Sequence, residues 1–457
     1  MTAISSTAPR SARYAGTAAR VVMAGVGLAI AGYASWRLLS LLGVTTAVTV
    51  VYFVGLLMVV WEALTASLER TVVATPGEQV ELARLRVVAL VPAYNEDEAA
   101  LRDCLDSMLR QTRRLDAVCV TDDGSTSGDY APVRAWFEKA AAELGIVAHW
   151  VRTPNGGKRH AQMTGVDAEP DADIYLTVDS DTVLDADAVH NALPPFTDAR
   201  VQSVAGVILV SNYGTNLLTH MQELWFVALQ MVSRGAMSRM GSVMVNSGGC
   251  AFYRGDVLRD NKETYLGETL LGREMHASDD SLLTLFALRR GRTVAQPNVF
   301  AFTLMPTTMS HHRRQQLRWM RGSTIRAAWR ARYLPVGRFA WWYHTLRWMQ
   351  YGAVTAVMVA LVVTGAIFQA AILWQSLVIL VAAQLVLTSP YLTLRRSDQS
   401  RAQRFAVYAT APLVGLWQAT FLRALRWYAI LTARKGAVGW GTRGTIEITA
   451  DPDRSAP

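Results

Sequence analysis

The sequence predicts an α/β domain with a parallel sheet, set between apolar segments of membrane type. Three short apolar runs indicate buried strands at residues 87–91, 115–121 and 174–178. Amphipathic stretches of helix length lie between them, at residues 98–110 and 132–144. Short buried strands that alternate with helices are typical of a parallel, Rossmann-like sheet. The apolar stretches on both sides of this region predict that the domain is inserted between membrane helices.

Composition narrows the class of protein. Hydrophobic residues make up 51% of the 457 residues and charged residues only 18%, which is low for a soluble enzyme. The net charge of +9 would suit nucleic acid, anionic lipid or an anionic substrate. Many basic residues flank apolar segments, which fits the positive-inside rule, so we expect no nucleic-acid partner. Three widely spaced cysteines indicate neither a disulfide framework nor a metal site.

The N-terminal region predicts a membrane hairpin. Residues 1–14 are small, polar and basic, and we expect them to be disordered. Apolar stretches at residues 21–36 and 45–66 predict a transmembrane hairpin within residues 15–67. A signal peptide is the alternative for the first stretch, because a basic region precedes it. The full-length apolar stretch that follows at once favours the hairpin.

The C-terminal region predicts further membrane segments. Residues 323–348 are rich in Arg and Trp, which is typical of interfacial helices. Residues 349–394 predict two transmembrane helices. Residues 395–434 begin with a basic loop, and the apolar segment after it contains a proline and two arginines that are costly in hydrocarbon. We therefore expect an interfacial or re-entrant helix there, four spans in total and cytoplasmic termini; a fifth span is the alternative.

Acidic clusters follow the predicted strands, at the sheet edge where such folds bind ligands. Asp179 and Asp181 follow the third strand at spacing i, i+2. Two carboxylates in this arrangement can share Mg²⁺ or Mn²⁺, which also binds diphosphate oxygens. Taken alone, the pattern is equally compatible with a solvated acidic turn.

The other strand ends carry polar groups that suit a nucleotide. Asp122 and Asp123 end the second strand and could accept from a uracil N3–H or from ribose hydroxyls. Tyr94 and Glu96 end the first strand and supply an aromatic face and a carboxylate. Lys158 opens a helix after two glycines, where backbone N–H groups and a cation together suit a phosphate. Four such clusters at one edge are hard to attribute to chance.

A second set of polar residues lies farther along the chain. Asp279 and Asp280 begin an amphipathic helix, so they could be capping residues or could include a general base. Gln315, Arg318 and Trp319 share one helical stretch and could hold a sugar or a diphosphate, or could anchor the helix in the membrane interface.

With these residues in hand, the chain resembles the processive, membrane-integrated family 2 glycosyltransferases, which include hyaluronan, chito-oligosaccharide, chitin and cellulose synthases. An ordered set of motifs within residues 86–444 carries the resemblance: Asp-Asp-Gly-Ser, Gly-Lys-Arg, Val-Asp-Ser-Asp-Thr, Ser-Asp-Asp, Gln-Gln-x-Arg-Trp and Trp-Gly-Thr-Arg. It implies a cytoplasmic, Rossmann-like GT-A glycosyltransferase domain at residues 86–322, inserted between the N-terminal and C-terminal transmembrane and interfacial helices. It also implies a gating loop within residues 435–457.

The resemblance assigns roles residue by residue. Nucleotide-sugar contacts fall to the strand-end clusters and to two later segments: Tyr94, Glu96, Asp122, Asp123, Lys158, Asp179, Arg318, Trp440 and Arg443. The diphosphate–metal unit falls to Asp181 and Asp179, with Asp181 the likelier direct ligand, and the metal is Mg²⁺ or Mn²⁺. Asp280 is implied as the catalytic base. The acceptor end is implied to lie at Asp279, Gln315 and Trp319.

The implied function is a processive, inverting transferase in the plasma membrane. It would use UDP-GlcNAc, alone or in alternation with UDP-GlcA, and pass a growing polysaccharide across the lipid bilayer. Ser278 departs from the glycine that hyaluronan and chito-oligosaccharide synthases usually have, and residues 248–254 are closer to the chito-oligosaccharide form. The alternatives are a chitin or chito-oligosaccharide synthase, a non-processive transferase, and an inactive component of an export complex. The sequence leaves the oligomeric state open.

Overall fold

The computed structural model describes residues 10–14, 21–22, 25, 29, 32, 46–127, 130–275, 277–364 and 370–436. Most of the predicted first apolar stretch lies outside the described residues, as do Trp440 and Arg443 of the predicted gating loop.

Strands and helices alternate through the middle of the chain. The strands are β1 Ala12–Tyr14, β2 Val87–Ala93, β3 Ala117–Asp122, β4 Val147–Arg152, β5 Ile174–Thr177, β6 Val183–Leu184, β7 Val201–Val210, β8 Ala251–Arg254, β9 Thr269–Leu270, β10 Arg273–Glu274, β11 Arg292–Thr303 and β12 Leu394–Arg396. The helices α1 Thr46–Ser67 and α2 Pro76–Ala83 come before residues 86–322, which the sequence predicts to be the catalytic region. The α-helices of that region before residue 300 are α3 Glu98–Leu109, α4 Ala131–Leu144, α5 Lys158–Ala168, α6 Ala188–Ala192, α7 Leu217–Ala228, α8 Gly235–Arg239, α9 Gly255–Arg259, α10 Lys262–Leu266 and α11 Asp279–Arg290. The helices that follow are α12 Met309–Tyr333, α13 Phe339–Val363, α14 Ala370–Thr388, α15 Arg401–Tyr408, α16 Ala411–Trp417 and α17 Arg423–Leu431.

The central sheet has eight strands in the order β4-β3-β2-β5-β8-β7-β11-β6. The predicted strands and helices of this region are confirmed within a few residues, and the three predicted strands, β2, β3 and β5, are parallel as expected. The prediction of a parallel sheet is wrong for two further strands, which make the sheet mixed. Strand β8 runs antiparallel to both of its neighbours, β5 and β7. The chain returns to the carboxyl edge of the sheet before it enters β8, so this strand begins at the edge where β5 ends. The short strand β6 is also antiparallel to its neighbour β11.

Both faces of the sheet are covered, which explains the continuous apolar runs of its strands. In β2, Val87, Ala89 and Val91 face the core formed with helices α3 and α4. Val88 and Leu90 face the opposite core, formed with helices α5 and α11. This alternation is the period-two geometry of a strand that is buried on both sides.

The apolar helices pack onto the catalytic region. Glu62 of α1 is buried and accepts a hydrogen bond from Ser233 (2.9 Å) and one from Tyr343 of α13. Arg347 of α13 lies 3.3 Å from the same carboxylate. The predicted boundaries at residues 322 and 348 fall inside α12 and α13, because each helix continues across the boundary, and the Arg- and Trp-rich stretch is instead interrupted at residues 334–338.

Within the described residues, two helical segments are long and apolar enough to cross a membrane, Phe339–Val363 and Arg401–Leu431. Shorter apolar helices occur at Leu57–Ser67 and Leu380–Thr393. The expected count of four spans stays a prediction.

The predicted disorder of residues 1–14 is wrong for residues 12–14. Strand β1 pairs antiparallel with β12, which follows the helix α14. The backbone N–H of Ala12 also donates to Asp185 Oδ2 of the catalytic region at 3.1 Å. Arg396 of β12 is fully buried against Glu223, with 2.6 Å between Nη1 and Oε1. Part of the predicted basic loop is therefore packed against the catalytic region.

Candidate active site

The first strand end forms a tight turn. Asn95 has a left-handed backbone (φ 48°), and its Oδ1 accepts from the N–H groups of Thr126 (2.8 Å) and Ser127 (3.1 Å). Glu96 is buried, and its Oε2 accepts from Ser180 Oγ at 2.8 Å. Tyr94 is half-buried beside this turn. The cluster after β2 is therefore joined directly to the Asp179–Asp181 segment, as a shared sheet edge predicts.

The second strand end holds the turn before α5. The carboxylate of Asp123 accepts from the N–H groups of Gly156 and Gly157, each at 2.8 Å. Burial raises the pKa of Asp123, although these two hydrogen bonds stabilise its charge. Asp122 accepts from Ser125 N–H (2.9 Å), and Arg152 Nε lies 3.6 Å from its other oxygen. Asp123 therefore fixes the position at which Lys158 begins its helix.

Lys158 lies between the two predicted acidic pairs. Its Nζ is 2.5 Å from Asp179 Oδ1 and 3.1 Å from Asp279 Oδ2. Burial disfavours the charged amine, but the carboxylates of Asp179 and Asp279 outweigh it and raise the pKa of Lys158. A Cβ at Gly248 would lie only 2.9 Å from the same Nζ, so a larger residue at this position would displace the amine. Lys158 therefore joins the strand-end cluster to the start of α11.

Asp179 and Asp181 flank the buried Ser180. The side chain of Asp179 is 41% exposed, so it is accessible to a ligand. Asp181 is partly exposed, and the hydroxyls of Thr182 and Thr303 each lie 3.4 Å from its Oδ1. The two carboxylates thus lie at the open edge of the sheet, beside a cation and beside Glu96.

Asp279 and Asp280 occupy the first turn of α11, and their pKa values are shifted in opposite directions. Burial opposes the ionisation of Asp279, but Lys158 overcomes it and lowers the pKa of this carboxyl. Burial, and then the charge of Asp279, raise the pKa of Asp280 to about 6. Asp280 Oδ1 accepts from Ser281 N–H at 2.6 Å. Neighbouring carboxylates whose pKa values are pushed apart are a common arrangement for acid–base catalysis.

Ser278 precedes this pair in a left-handed conformation (φ 60°). Serine adopts this conformation less readily than glycine, so the position explains why the related synthases usually have glycine there.

The helix α12 passes directly against this turn. A Cβ at Gly322 would lie 2.9 Å from the Cβ of Ser278, so the two segments are in close contact. Gln315, Arg318 and Trp319 lie on the Gly322 face, because residues three, four and seven positions apart share one side of a helix. Trp319 is 37% exposed and stacks on Phe226 with 6.2 Å between ring centroids. The structure thus brings α12 to the start of α11.

Several supporting residues were not predicted from the sequence. Asn95, Tyr130 and Ser180 hold the strand-end turns, and Gly248 and Gly322 allow close approaches. The Gly248-Gly249 pair could have been recognised as a site of close backbone approach. No sequence pattern indicated the hydroxyl contacts of Ser180 and Tyr130.

Comparison with known proteins agrees with this arrangement. Residues 88–261 match the family model described as glycosyl transferase family 2. The chain is 29% identical over 365 residues to a hyaluronan synthase of Streptococcus pyogenes, which covers 79% of this chain and 84% of that protein. It is 34% identical over 240 residues to an N-acetylglucosaminyltransferase of Azorhizobium caulinodans, which covers 52% of this chain and 59% of that protein.

A solved structure shares the fold. It is a mannosyltransferase of Pyrobaculum calidifontis in complex with GDP-Man and Mn²⁺, with a TM-score of 0.54 and 20% sequence identity, covering 91% of this chain and 99% of that one. The match to the hyaluronan synthase is longer than the region that the family model covers, so the likeness extends beyond the strand-end clusters. The chain therefore contains a family 2 glycosyltransferase domain, and it is a hexosyltransferase that resembles hyaluronan synthases.

Proposed function

We propose that the enzyme is a processive, inverting transferase that uses UDP-sugars to synthesise and export a polysaccharide. The donor is UDP-GlcNAc, in alternation with UDP-GlcA. The observation that carries this proposal is the contact of Lys158 with both Asp179 and Asp279, which joins a diphosphate-binding edge to the start of the helix that bears Asp280. The similarity to a hyaluronan synthase and to an N-acetylglucosaminyltransferase supports the choice of sugars.

The donor half of the site suits a nucleoside diphosphate. The part of the sheet edge proposed to bind uridine carries Tyr94, Glu96 and the Asp122–Asp123 turn. Lys158 carries a positive charge on a side chain that is only 10% exposed, so it attracts phosphate oxygens strongly. In the structure the Lys158 amine forms an ion pair with Asp179, and it would also contact a bound diphosphate. The proposed contacts with UDP are completed by Arg318 and by two residues of the predicted gating loop, Trp440 and Arg443.

Asp179 and Asp181 fit a divalent cation, which we propose to be Mg²⁺ or Mn²⁺. Among the described residues no group of three His, Cys, Asp or Glu side chains forms a complete metal site. Two carboxylates leave coordination positions for diphosphate oxygens and water, as these hard cations prefer. The fold relative from Pyrobaculum was solved with Mn²⁺ and a nucleotide-sugar, which is consistent with this assignment. A cation held there neutralises charge on the departing diphosphate.

Asp280 is proposed as the catalytic base. With a pKa of about 6 it is mostly ionised at neutral pH and is still a stronger base than an ordinary carboxylate. It takes the proton from the acceptor hydroxyl while that oxygen forms a bond to the anomeric carbon of the donor sugar. The bond from the anomeric carbon to the phosphate oxygen breaks on the opposite face, which inverts the configuration. Asp279, Gln315 and Trp319 are the proposed acceptor contacts.

The pairing of β1 with β12 supports the proposed membrane topology. Both strands contact the catalytic region, so we propose that residues 12–14, 86–322 and 394–396 lie on one side of the membrane. An even number of membrane crossings must then separate each of these three segments from the next one along the chain. This agrees with a hairpin within residues 15–67 and with two spans between α12 and β12. We propose a multi-pass enzyme of the plasma membrane with a cytoplasmic catalytic domain.

The decisive experiment supplies labelled UDP-GlcNAc to membranes that contain the enzyme and Mn²⁺, with and without UDP-GlcA. We expect a long polymer that requires both sugars and is degraded by hyaluronidase. Short products of one or two added sugars would contradict processivity. Failure to release UDP from either sugar would contradict the proposed activity and favour an inactive export component.

A second candidate is a chitin or chito-oligosaccharide synthase. The 34% identity to an N-acetylglucosaminyltransferase favours it. In the same experiment it would form a product from UDP-GlcNAc alone, and chitinase would degrade that product.

A further inference from the structure

The segment that leads into Asp279 and Asp280 is held by two buried arginines. Arg159 Nη2 donates to the carbonyl oxygen of Ala277 at 2.9 Å. Arg326 Nη2 lies 3.4 Å from the carbonyl oxygen of Ser278, the residue with the left-handed backbone. Both arginine side chains are at most 2% exposed. The direction in which α11 leaves this turn therefore depends on where the two guanidinium groups lie.

Both guanidinium groups are bound by one carboxylate, Glu268. Arg326 binds it with two hydrogen bonds, of 2.7 Å and 3.0 Å. Arg159 Nη2 donates to its Oε2 at 2.8 Å, and Trp329 Nε1 donates to its Oε1 at 2.6 Å. Burial disfavours the ionised carboxylate, but Arg326 and Arg159 outweigh it and lower the pKa of Glu268. The carboxylate is thus charged and fully engaged.

Local structure fixes Glu268 in place. It follows Gly267, whose N–H donates to the carbonyl oxygen of Glu263 where α10 ends, and it precedes the hairpin formed by β9 and β10. Leu271 and Gly272 both have positive φ, as a two-residue hairpin turn requires. The N–H of Met275 donates to the carbonyl oxygen of Glu268 at 2.9 Å and closes the base of this hairpin.

The two arginines come from the two helices that carry the substrate contacts. Arg159 follows Lys158, the residue proposed to bind the diphosphate. Arg326 is four residues beyond Gly322, where α12 touches Ser278. We propose that Glu268 is a positioning residue for Asp280: through Arg159 and Arg326 it aligns the catalytic base with the donor and acceptor helices. This inference rests on the proposed role of Asp280.

The main test replaces Glu268 by glutamine and compares catalysis with nucleotide binding. We expect kcat for UDP release to fall about 100-fold, because small displacements of a catalytic group have effects of this size. The Kd and the stoichiometry of UDP binding with Mn²⁺, and the KM for UDP-GlcNAc, should change less than about twofold, because Asp123, Asp179 and Asp181 do not contact Glu268 in the described structure.

Because Glu268→Gln leaves two buried arginines without a counter-charge, it can impair folding. Trp329→Phe is the milder variant, since it keeps the ring and removes only one hydrogen bond to Glu268. It should lower kcat roughly fivefold, which is the usual effect of one hydrogen bond. Asp167→Asn is the matched control, because the exposed Lys262–Asp167 pair joins α5 to α10, the helix just before Glu268, on the surface. Its kcat should stay within about twofold of wild type.

A double variant distinguishes positioning from general stability. If Glu268 acts through Asp280, Glu268→Gln should not reduce further the residual rate of Asp280→Asn. Independent, multiplicative losses would overturn the inference, as would wild-type kcat in both Glu268→Gln and Trp329→Phe. Proportional loss of UDP-binding stoichiometry and kcat would also overturn it, since Glu268 would then support the whole fold. If the wild-type enzyme releases no UDP, the proposed function itself fails, and this inference fails with it.

Discussion

The two halves of the proposed active site, the donor half and the acceptor half, are held in place by different means. In the donor half, turns directly after β2 and β3 are fixed by backbone N–H groups, as in the contact of Asp123 with Gly156 and Gly157. In the acceptor half, the turn before Asp280 is fixed by buried side chains from distant segments, Arg159, Glu268 and Arg326. The donor half is therefore set by the sheet itself. The acceptor half depends on how α12, which leads to the apolar helices α13 and α14, packs against the domain.

The largest expected effect separates these halves at Asp280. Asp280→Asn should lower kcat about 1000-fold, because a general base contributes roughly 100- to 10,000-fold. UDP binding should stay close to that of wild type, because the base acts on the acceptor. Polymer formation and UDP binding measured on the same preparation test this. The matched control is Asp256→Asn, which removes an exposed carboxylate 3.0 Å from Arg290 at the other end of α11. A polymer yield near that of wild type in Asp280→Asn would refute the assignment.

At the donor half we expect a substitution to weaken UDP binding instead. Asp181→Asn should weaken metal-dependent UDP binding by roughly 1.5–3 kcal/mol, or about 10- to 150-fold, as the loss of a charged partner does. Titration with UDP at saturating and at zero Mn²⁺ measures this change. The binding that remains without metal should be the same in the variant and in wild type. Equal weakening with and without Mn²⁺ would mean that Asp181 does not act through a cation.

A smaller effect is expected from a substitution beside Lys158, the residue that joins the two halves of the site. Gly248→Ala places a methyl group 2.9 Å from Lys158 Nζ and displaces the amine from Asp179. We expect about a tenfold loss in kcat/KM, in line with one charged hydrogen bond. Gly214→Ala is the control, because its Cβ would meet nothing within 4 Å. Equal kcat/KM in the two variants would show that the close approach at Gly248 has no effect on Lys158.

The mildest probe is pH. Asp280 acts as a base only when it is ionised, and its pKa is about 6. The rate of UDP release should therefore be half-maximal near pH 6 and fall about tenfold for each further unit of acidity. UDP binding measured over the same range separates this loss from effects on the donor half. The residual rate of Asp280→Asn should lack this acidic limb, and an unchanged limb in that variant would assign it to another group.

Much of the donor half could be predicted from the sequence. The acidic and aromatic residues follow apolar runs directly, and parallel strands bring their carboxyl ends to one edge. Local order along the chain therefore predicts the proximity of Asp123, Lys158 and Asp179. The start of α11 at Asp279 was also readable, because acidic residues favour the first turn of a helix.

The rest depends on contacts between distant segments. No local pattern indicates that Glu268 binds Arg159 and Arg326, since a single Glu in a polar stretch has the composition of a surface loop. The antiparallel direction of β8 was missed because a four-residue strand reads the same in either direction. The order of residues 12–14 comes from pairing with β12, and a polar segment of this kind has no apolar signal of its own.

That pairing has a consequence for how the protein is made. The N–H of Ser11 donates to Ser397 Oγ, so the two partners are 386 residues apart in the chain. At typical rates of translation the ribosome needs about 20 to 80 seconds to add the residues between them. Synthesis of the catalytic domain is complete before β12 is made, so at that stage β1 has no partner strand. The final closure of the structure is therefore a late event in biosynthesis, and it follows the emergence of α14.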